Sequence, residues 1–249
     1  FKMHHKFGLK LTSSYSNNFS TPKRSKSSIK FIIIHYTGMK KELASIRRLK
    51  DPNSKVSSHY YIKKNGDLLN LVPDLYEAWH AGKSCWKNFR LLNKNSIGIE
   101  ISNPGHENGY RNFSNKQILS LKKLLKYLMK KYKIWYKFIL GHSDISPDRK
   151  KDPGEKFPWQ KLAQNGLVWW HKLDLKKIKK YRNVDLSSKN EEKAFIKNLR
   201  KIGYIKIDRK NLKKNLLIIK AFQRRFRQEL ISGKIDKECL LISKNLIIS

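Results

Sequence analysis

Three short apolar runs constrain the fold of this chain more than any other feature. They are Ile29 to Tyr36, Ser96 to Ile101 and Lys137 to Gly141, and isoleucine is common to all three. Runs of this length and composition predict strands that are buried on both faces of a sheet. Such strands need covering layers on both sides, so the chain must also supply helices.

Helical patterns lie between and after these strands. Ser114 and Gln117 have the spacing of a capping box, which opens an amphipathic helix running to about Lys131. Shorter helices are predicted over 40–49 and 158–164, and the Asn65-Gly66 pair predicts a hairpin turn. Strands that alternate with helices predict an α/β domain, which we place at residues 29–170.

The remaining residues predict three further parts. Residues 1–28 are polar and basic and are expected to form a flexible N-terminal arm. This arm lacks the apolar middle of a signal peptide, but the chain begins with Phe1, so a secretion or lipid-anchor signal upstream is conceivable. Residues 171–189 are charged and predict a linker. Residues 190–249 show helical periodicity, as at Phe195, Leu199 and Ile202, and predict a small domain of three helices.

Composition limits the possible partners less sharply. Lys plus Arg is 56 and Asp plus Glu is 19, a formal net charge of +37, which favours nucleic acid, anionic lipid or carboxylate-bearing peptidoglycan. The lysines are spread over the chain, so a compositional bias of the genome explains the charge equally well, and no nucleic-acid-binding motif supports that partner. No apolar run reaches the roughly 18 residues of a transmembrane helix. Cys85 and Cys239 define neither a disulfide framework nor a cysteine zinc site.

Two histidines stand out by position. His35 ends the first strand and His142 follows the third, and side chains just past strand ends project into the crevice where α/β sheets bind ligands. Asp152 lies in the loop after His142. Two imidazoles and one carboxylate leave an open position on a tetrahedral zinc ion, as in catalytic sites. The alternative is two packed strand-end histidines and an aspartate that only begins a turn.

Two charged residues could assist such a site. Glu100 lies between Ile99 and Ile101, and a carboxylate in a buried strand is costly unless it is paired or functional. If it faces the crevice it can act as a general base; if strand alternation turns it outward it cannot. Lys150 could direct its ammonium group at a developing oxyanion, or be one more surface lysine.

Five motifs together resemble the type 2 N-acetylmuramoyl-L-alanine amidases, a family related to phage-lysozyme-type amidases and peptidoglycan recognition proteins. The resemblance covers residues 29 to 165 and rests on FIIIHYT, SSHYYIKKNGDLLNLV, AWHAG, SIGIEI and GHSDISPDRKKDPGEKFPW. It implies a central mixed β-sheet flanked by helices, with Zn²⁺ in a groove. It also implies hydrolysis of the bond between N-acetylmuramic acid and L-alanine in peptidoglycan or muropeptides, during cell-wall turnover and recycling. We expect a monomer in the periplasm or cell envelope, with the cytoplasm left open.

The family's functional residues carry over by motif. The resemblance makes three residues zinc ligands (His35, His142 and Asp152), makes Glu100 the catalytic glutamate and makes Lys150 the stabiliser of the tetrahedral intermediate. It places His80 and Trp79 beside the substrate, while His59 either packs or lines the groove. The alternative function is a non-catalytic peptidoglycan-binding protein, and the complete set of five residues argues against it.

The C-terminal residues carry a second, less specific resemblance. AFQRRFRQ followed by SGKIDKECLLI is similar to the three-helix peptidoglycan-binding module of wall hydrolases. The surface is very basic, however, and no glycine-rich turn follows Phe226. Both wall binding and simple packing on the catalytic domain therefore stay open for this part.

Overall fold

A seven-stranded mixed sheet organises the protein. The computed structural model describes residues 3–6, 9–205 and 215–248. Its strands are β1 (Met3–Lys6), β2 (Leu9–Ser13), β3 (Phe19–Ser20), β4 (Phe31–Tyr36), β5 (Tyr60–Ile62), β6 (Leu68–Asn70), β7 (Glu77–Ala78), β8 (Cys85–Trp86), β9 (Phe89–Arg90), β10 (Ser96–Ile101) and β11 (Ile139–Gly141). Its α-helices are α1 (Glu42–Lys50), α2 (Asn115–Tyr132), α3 (His142–Ile145), α4 (Trp159–Ala163), α5 (Leu175–Ile178), α6 (Lys189–Ile202), α7 (Leu216–Phe226) and α8 (Lys237–Ile248).

The three apolar runs form the centre of this sheet. Its strand order is β1-β2-β6-β5-β10-β4-β11, and β4 pairs in parallel with both β10 and β11. β5 and β6 form the antiparallel hairpin predicted around Asn65-Gly66. The predicted α/β class and the mixed sheet are confirmed. Because β4 is central and its neighbours run parallel to it, the carboxyl ends of three strands meet at one edge.

Helices α2 and α4 cover one face of the sheet. Ile32, Ile34 and Ile99 point to this face and pack against the apolar side of α2 and against α4. The predicted capping box opens α2, with the Ser114 side chain accepting from the Gln117 amide. This face carries a purely structural core.

The opposite face is shared between two groups of side chains. Phe31 and Ile33 belong to a core that also contains Phe195 and Phe222, so helices α6 to α8 lie on this side of the sheet. Tyr61 packs with Leu49 of α1 in a separate small cluster. His35 follows Phe31 and Ile33 at two-residue spacing, and therefore points to this same face.

The prediction of a flexible arm over residues 1–28 is wrong for residues 9–28. β2 joins the sheet in parallel with β6, because the outer edge of the β5–β6 hairpin offers unpaired backbone groups. Ser16 and Asn18 are buried, and the Ser16 hydroxyl donates to the Leu49 carbonyl at 2.6 Å. Residues 1–2 and 7–8 lie outside the described part.

The segment predicted as a linker is folded. Residues 171–189 contain α5, and Ile178 at its end is buried in the core that holds the C-terminal helices. The C-terminal three-helix prediction falls on α6 to α8, although residues 206–214 lie outside the described ranges. No helix in the described part combines the length and the apolar character needed to cross a bilayer.

Candidate metal and catalytic site

Two histidines and one aspartate converge at the carboxyl edge of the central strands. His35 lies near the end of β4, His142 begins α3, and Asp152 lies in the following loop. The two Nδ1 atoms are 2.9 Å apart, and each lies 3.1 Å from Oδ2 of Asp152. Four-coordinate zinc at about 2.0 Å from its ligands requires donor separations of roughly 3.3 Å. The three buried side chains therefore have close to the spacing of one face of a zinc coordination tetrahedron and could hold a metal ion.

The far side of each imidazole is already occupied. Nε2 of His142 lies 3.2 Å from the Ala81 carbonyl oxygen, so this nitrogen carries the proton and donates. Nε2 of His35 lies 3.0 Å from Nδ1 of His80. Both histidines consequently present Nδ1 to the common point. Metal-bound histidines are oriented by such outer contacts, and the arrangement fits a bound metal ion.

Burial also sets the charge of the donor atoms. Burial, and after it the neighbouring His142, lowers the pKa of His35 to about 4, so its ring is neutral near pH 7. Burial alone would raise the pKa of Asp152, but the adjacent imidazoles, His142 first, hold it well below its ordinary value. Neutral imidazoles and an ionised carboxylate are the forms that bind a metal.

Glu100 lies beside this group on the same face of the sheet. It pairs in register with His35 across the parallel strands, so the alternative of an outward-facing side chain is wrong. Its Oε2 is buried without a hydrogen-bond partner among the described residues. Burial, and next the charge of Asp152, raises the pKa of Glu100 to about 8. A carboxyl group with a raised pKa and a free Oε2 among the described residues is suited to exchanging a proton with a bound reactant.

A cleft of about 410 Å³ opens in front of these groups. Lys150 lines it, as do Glu100 and Asp152, so the lysine is placed at the site instead of on a remote surface. Other lining residues come from the β4–α1 segment, from α1, from the segment before β5 and from the loops that follow β7 and β10: Thr37, Gly38, Met39, Arg48, Ser57, Trp79 and Glu107. Arg48 and Lys150 add two positively charged side chains to a cleft lining that also contains the carboxyl groups of Glu100 and Asp152.

The three residues predicted to contact substrate have different positions. Trp79 is half-buried and lines the cleft, with its indole N–H donating to Ser20 Oγ at 2.8 Å. His59 is fully buried and absent from the cleft lining, which favours the packing role over the groove-lining one. Its ring is held by the backbone: Nδ1 accepts from the Gly98 amide at 2.9 Å, and Nε2 lies 3.0 Å from the Tyr76 carbonyl.

His80 reaches the cleft but is almost entirely buried. Its Nδ1 contacts His35, and its Nε2 lies 3.2 Å from Ser96 Oγ. The ring rests on Gly98, where an added Cβ would come within 2.5 Å of it. Burial, followed by the neighbouring histidines, lowers the pKa of His80 well below its ordinary value. His80 is therefore neutral, and its Nδ1 contact helps to orient the ring of His35.

Two sets of contacts that hold the site in place are not indicated by any pattern in the sequence. Arg149 donates to the carbonyl oxygens of Ala81 and Lys83, at 2.5 and 3.1 Å, and so fixes the loop that contacts His142. Asp144, two residues after His142, receives a buried ion pair from Arg225 of α7 at 3.1 Å. The GHSD motif points to Asp144, but nothing local identifies an arginine 81 residues away as its partner.

The comparisons with known proteins agree with this geometry. Residues 25–155, just over half of the chain, match the family model described as N-acetylmuramoyl-L-alanine amidase. The N-acetylmuramoyl-L-alanine amidase AmiD of Escherichia coli strain K12 is 34% identical over 238 residues, which cover 88% of this chain and 82% of that protein.

Two solved structures extend the likeness to the whole fold. The complex of AmiD from E. coli with anhydro-N-acetylmuramic acid-L-Ala-D-gamma-Glu-L-Lys has a TM-score of 0.77 at 32% identity and covers 92% of both chains. AmpDh3 of Pseudomonas aeruginosa in complex with an anhydromuramic pentapeptide has a TM-score of 0.77 at 30% identity, covering 92% of this chain and 95% of that one. This chain belongs to the N-acetylmuramoyl-L-alanine amidase family.

Proposed function

We propose that this protein is a zinc-dependent amidase that cleaves the bond between N-acetylmuramic acid and L-alanine in muropeptides. The observation that carries the proposal is the buried triangle of His35, His142 and Asp152, with the unpartnered carboxyl of Glu100 beside it. A packing role for these residues would not leave three donor atoms facing one point.

The donor set favours zinc over other metals. Two imidazole nitrogens and one carboxylate oxygen are typical of catalytic zinc sites, whereas magnesium and calcium prefer oxygen ligands. When bound, zinc would act as a Lewis acid that polarises the scissile carbonyl and lowers the pKa of water. His35, His142 and Asp152 would hold the ion, and the cleft in front of them would admit the substrate.

The surrounding side chains supply the proton transfers and the charge stabilisation. Glu100 takes a proton from the attacking water and later delivers it to the departing L-alanine nitrogen. Burial and the charge of Asp152 raise its pKa to about 8, so the group holds the proton that it takes from the water until the nitrogen departs. Lys150 stabilises negative charge on the carbonyl oxygen, because its ammonium group lines the same cleft.

The substrate we propose is a soluble anhydro-muropeptide. Both of the similar structures described above hold a ligand of this chemistry. In this chain Arg48 and Lys150 line the cleft, where the carboxylates of a stem peptide would meet positive charge. Trp79 offers an aromatic surface for a sugar ring.

Glu100→Gln tests the catalytic assignment. We expect the variant to bind zinc like the wild type but to lose about 100- to 10,000-fold in turnover of an anhydro-muropeptide, followed by mass spectrometry. Glu107→Gln, a second glutamate lining the cleft, is the matched control and should retain most activity. Normal turnover by Glu100→Gln would remove this residue from the mechanism, and a wild type that binds without cleaving would support the peptidoglycan-binding alternative.

A further inference from the structure

We propose that His80 and Ser96 form a buried relay that fixes the tautomer of His35 so that its Nδ1 faces the metal ion. Both are positioning residues, and the inference rests on the proposed zinc site. It replaces the substrate contact predicted for His80, because both ring nitrogens of His80 are engaged inside the protein.

The relay begins at a backbone carbonyl. Ser96 Oγ lies 2.6 Å from the Leu92 oxygen, and a carbonyl can only accept, so the serine hydroxyl donates its one proton there. Its oxygen is then left as an acceptor toward Nε2 of His80, 3.2 Å away. The His80 proton must consequently reside on Nε2.

The position of the His80 proton in turn determines which nitrogen of His35 is protonated. A neutral imidazole protonated on Nε2 has a bare Nδ1, so His80 accepts from Nε2 of His35 at 3.0 Å. His35 thus keeps its proton on Nε2 and exposes the lone pair of Nδ1 toward His142 and Asp152. Without the relay, His35 could place its proton on Nδ1 and donate it to Asp152, which would block coordination.

The surroundings hold the relay in place. His80 is seated against Gly98, and the backbone amides of His80 and Ala81 both donate to Asn93 Oδ1, at 3.1 and 2.7 Å. Ser96 has no exposed surface. His142 needs no such relay, because its Nε2 already faces the Ala81 carbonyl.

A pair of His80 variants tests the acceptor. Asparagine places a side-chain oxygen near the position of Nδ1 and can still accept from His35, whereas phenylalanine fills the space without accepting. Measured by chelator competition, we expect His80→Phe to weaken zinc affinity about 10- to 100-fold and His80→Asn to retain most of it. Wild-type zinc affinity in His80→Phe would overturn the relay.

A serine pair keeps the test decisive if His80→Phe does not fold. Ser243 is matched to Ser96: it is fully buried, donates to the Leu240 carbonyl at 2.9 Å and lies 3.0 Å from Asn198 Nδ2, far from the metal-binding residues. We expect Ser96→Ala to weaken zinc affinity about 10-fold and Ser243→Ala to leave it unchanged. Equal zinc affinities in the two variants would overturn the relay.

NMR spectroscopy distinguishes a change in the His35 tautomer from a general loss of stability. In the metal-free protein, long-range ¹H–¹⁵N NMR spectra should show His35 protonated on Nε2, with Nδ1 protonation appearing in Ser96→Ala but not in Ser243→Ala. An unchanged His35 tautomer in Ser96→Ala would contradict the proposal. Failure of the wild type to bind zinc would instead overturn the proposed function.

Discussion

At the scale of single residues, the cleft holds two carboxyl groups with opposite tendencies. Asp152 lies between imidazoles and stays ionised, whereas burial raises the pKa of Glu100 to about 8. Pairs of titratable groups whose surroundings separate their pKa values are typical of acid–base catalysis. The environments of these residues therefore support the proposed roles, which are metal binding for Asp152 and proton transfer for Glu100.

Lys150 can be tested against its own neighbour. We expect Lys150→Met to bind zinc normally and to lose about 100- to 1,000-fold in kcat, because it removes a cation that stabilises the oxyanion. Lys151→Met is the control, since Lys151 is exposed and does not line the cleft that holds Glu100. Steady-state kinetics on an anhydro-muropeptide compare the two. Equal kinetic constants would make Lys150 a surface lysine.

His59 gives the folded state a dependence on pH. Burial, and after it the charge of Arg24, lowers the pKa of His59 to about 3, against 6.5 in the unfolded chain. Between these values the unfolded state binds the extra proton, so the free energy of unfolding falls as the pH falls. From pH 7 to pH 5 this residue should contribute a loss of about 2 kcal/mol.

The measurement is urea unfolding of the wild type and of His59→Asn at both pH values. Asparagine cannot take up a proton in this range, so the variant should lose about 2 kcal/mol less than the wild type between pH 7 and pH 5. Parallel behaviour of the two proteins would mean that His59 is not held neutral in the folded state.

The sequence predicts the principal residues of the site because of where strands end. His35 and His142 follow apolar runs, and parallel pairing of β4 with β11 brings those ends together. The role of His80 could not be predicted in the same way. Its contact with Ser96 depends on the path of the intervening loop, which Asn93 and Arg149 fix through contacts to backbone atoms. Such contacts leave no periodic pattern in a sequence.

At the scale of secondary-structure elements, side-chain contacts connect α7 to α3, the helix that begins with His142. The Arg225 guanidinium donates to Asp144 Oδ2 at 3.1 Å and to the Ile139 carbonyl at 3.0 Å. It also stacks on Trp159, with 3.5 Å between the guanidinium carbon and the ring centre. Tyr204 donates to the other oxygen of Asp144 at 2.7 Å. The C-terminal helices thus hold the turn that presents His142.

Substitution of Arg225 measures how much its ion pair with Asp144 contributes to stability. We expect Arg225→Met to lower the free energy of unfolding by about 3–5 kcal/mol, because it leaves Asp144 buried without its cation. Combining it with Asp144→Asn should cost at least about 1 kcal/mol less than the sum of the single variants. Arg200→Met, an exposed arginine on α6, is the control. Additive effects of the two buried substitutions would contradict a direct coupling.

Helices and strands with strong patterns are predictable from the sequence, and the N-terminal strand is not. The capping box at Ser114 and the isoleucines of β4 carry local signals that the structure confirms. Residues 9–13 contain only two apolar side chains, Leu9 and Leu11, and they become a strand because the β6 edge is available for pairing. Edge pairing of this kind is a tertiary effect, so local propensity does not reveal it.

At the scale of the whole molecule, the catalytic sheet and the C-terminal helices share one core. Phe31 and Ile33 of the sheet lie in the same cluster as Phe195 and Phe222. Trp86 stacks edge-on against Tyr204, with ring centres 4.9 Å apart. We therefore propose that residues 29–170 and 190–249 form one folding unit, whether or not the helices also bind cell wall.

Calorimetry can test whether residues 29–170 and 190–249 unfold together. We expect a single unfolding transition in which the calorimetric and van't Hoff enthalpies agree. A fragment of residues 1–170 should not fold stably, because it would expose Phe31 and Ile33 and leave Asp144 without Arg225. Two separate transitions, or an active 1–170 fragment, would show that the helices are an independent module.

The glycine in the middle of β10 has a further consequence. Gly98 carries no functional group, yet a methyl group added there would occupy the space of the His80 imidazole. An alanine at this position would force that ring to shift without altering the charge or polarity of any residue around the proposed metal site. We therefore expect the zinc affinity to depend on the absence of a single side-chain carbon at position 98, where the His80 ring takes its place.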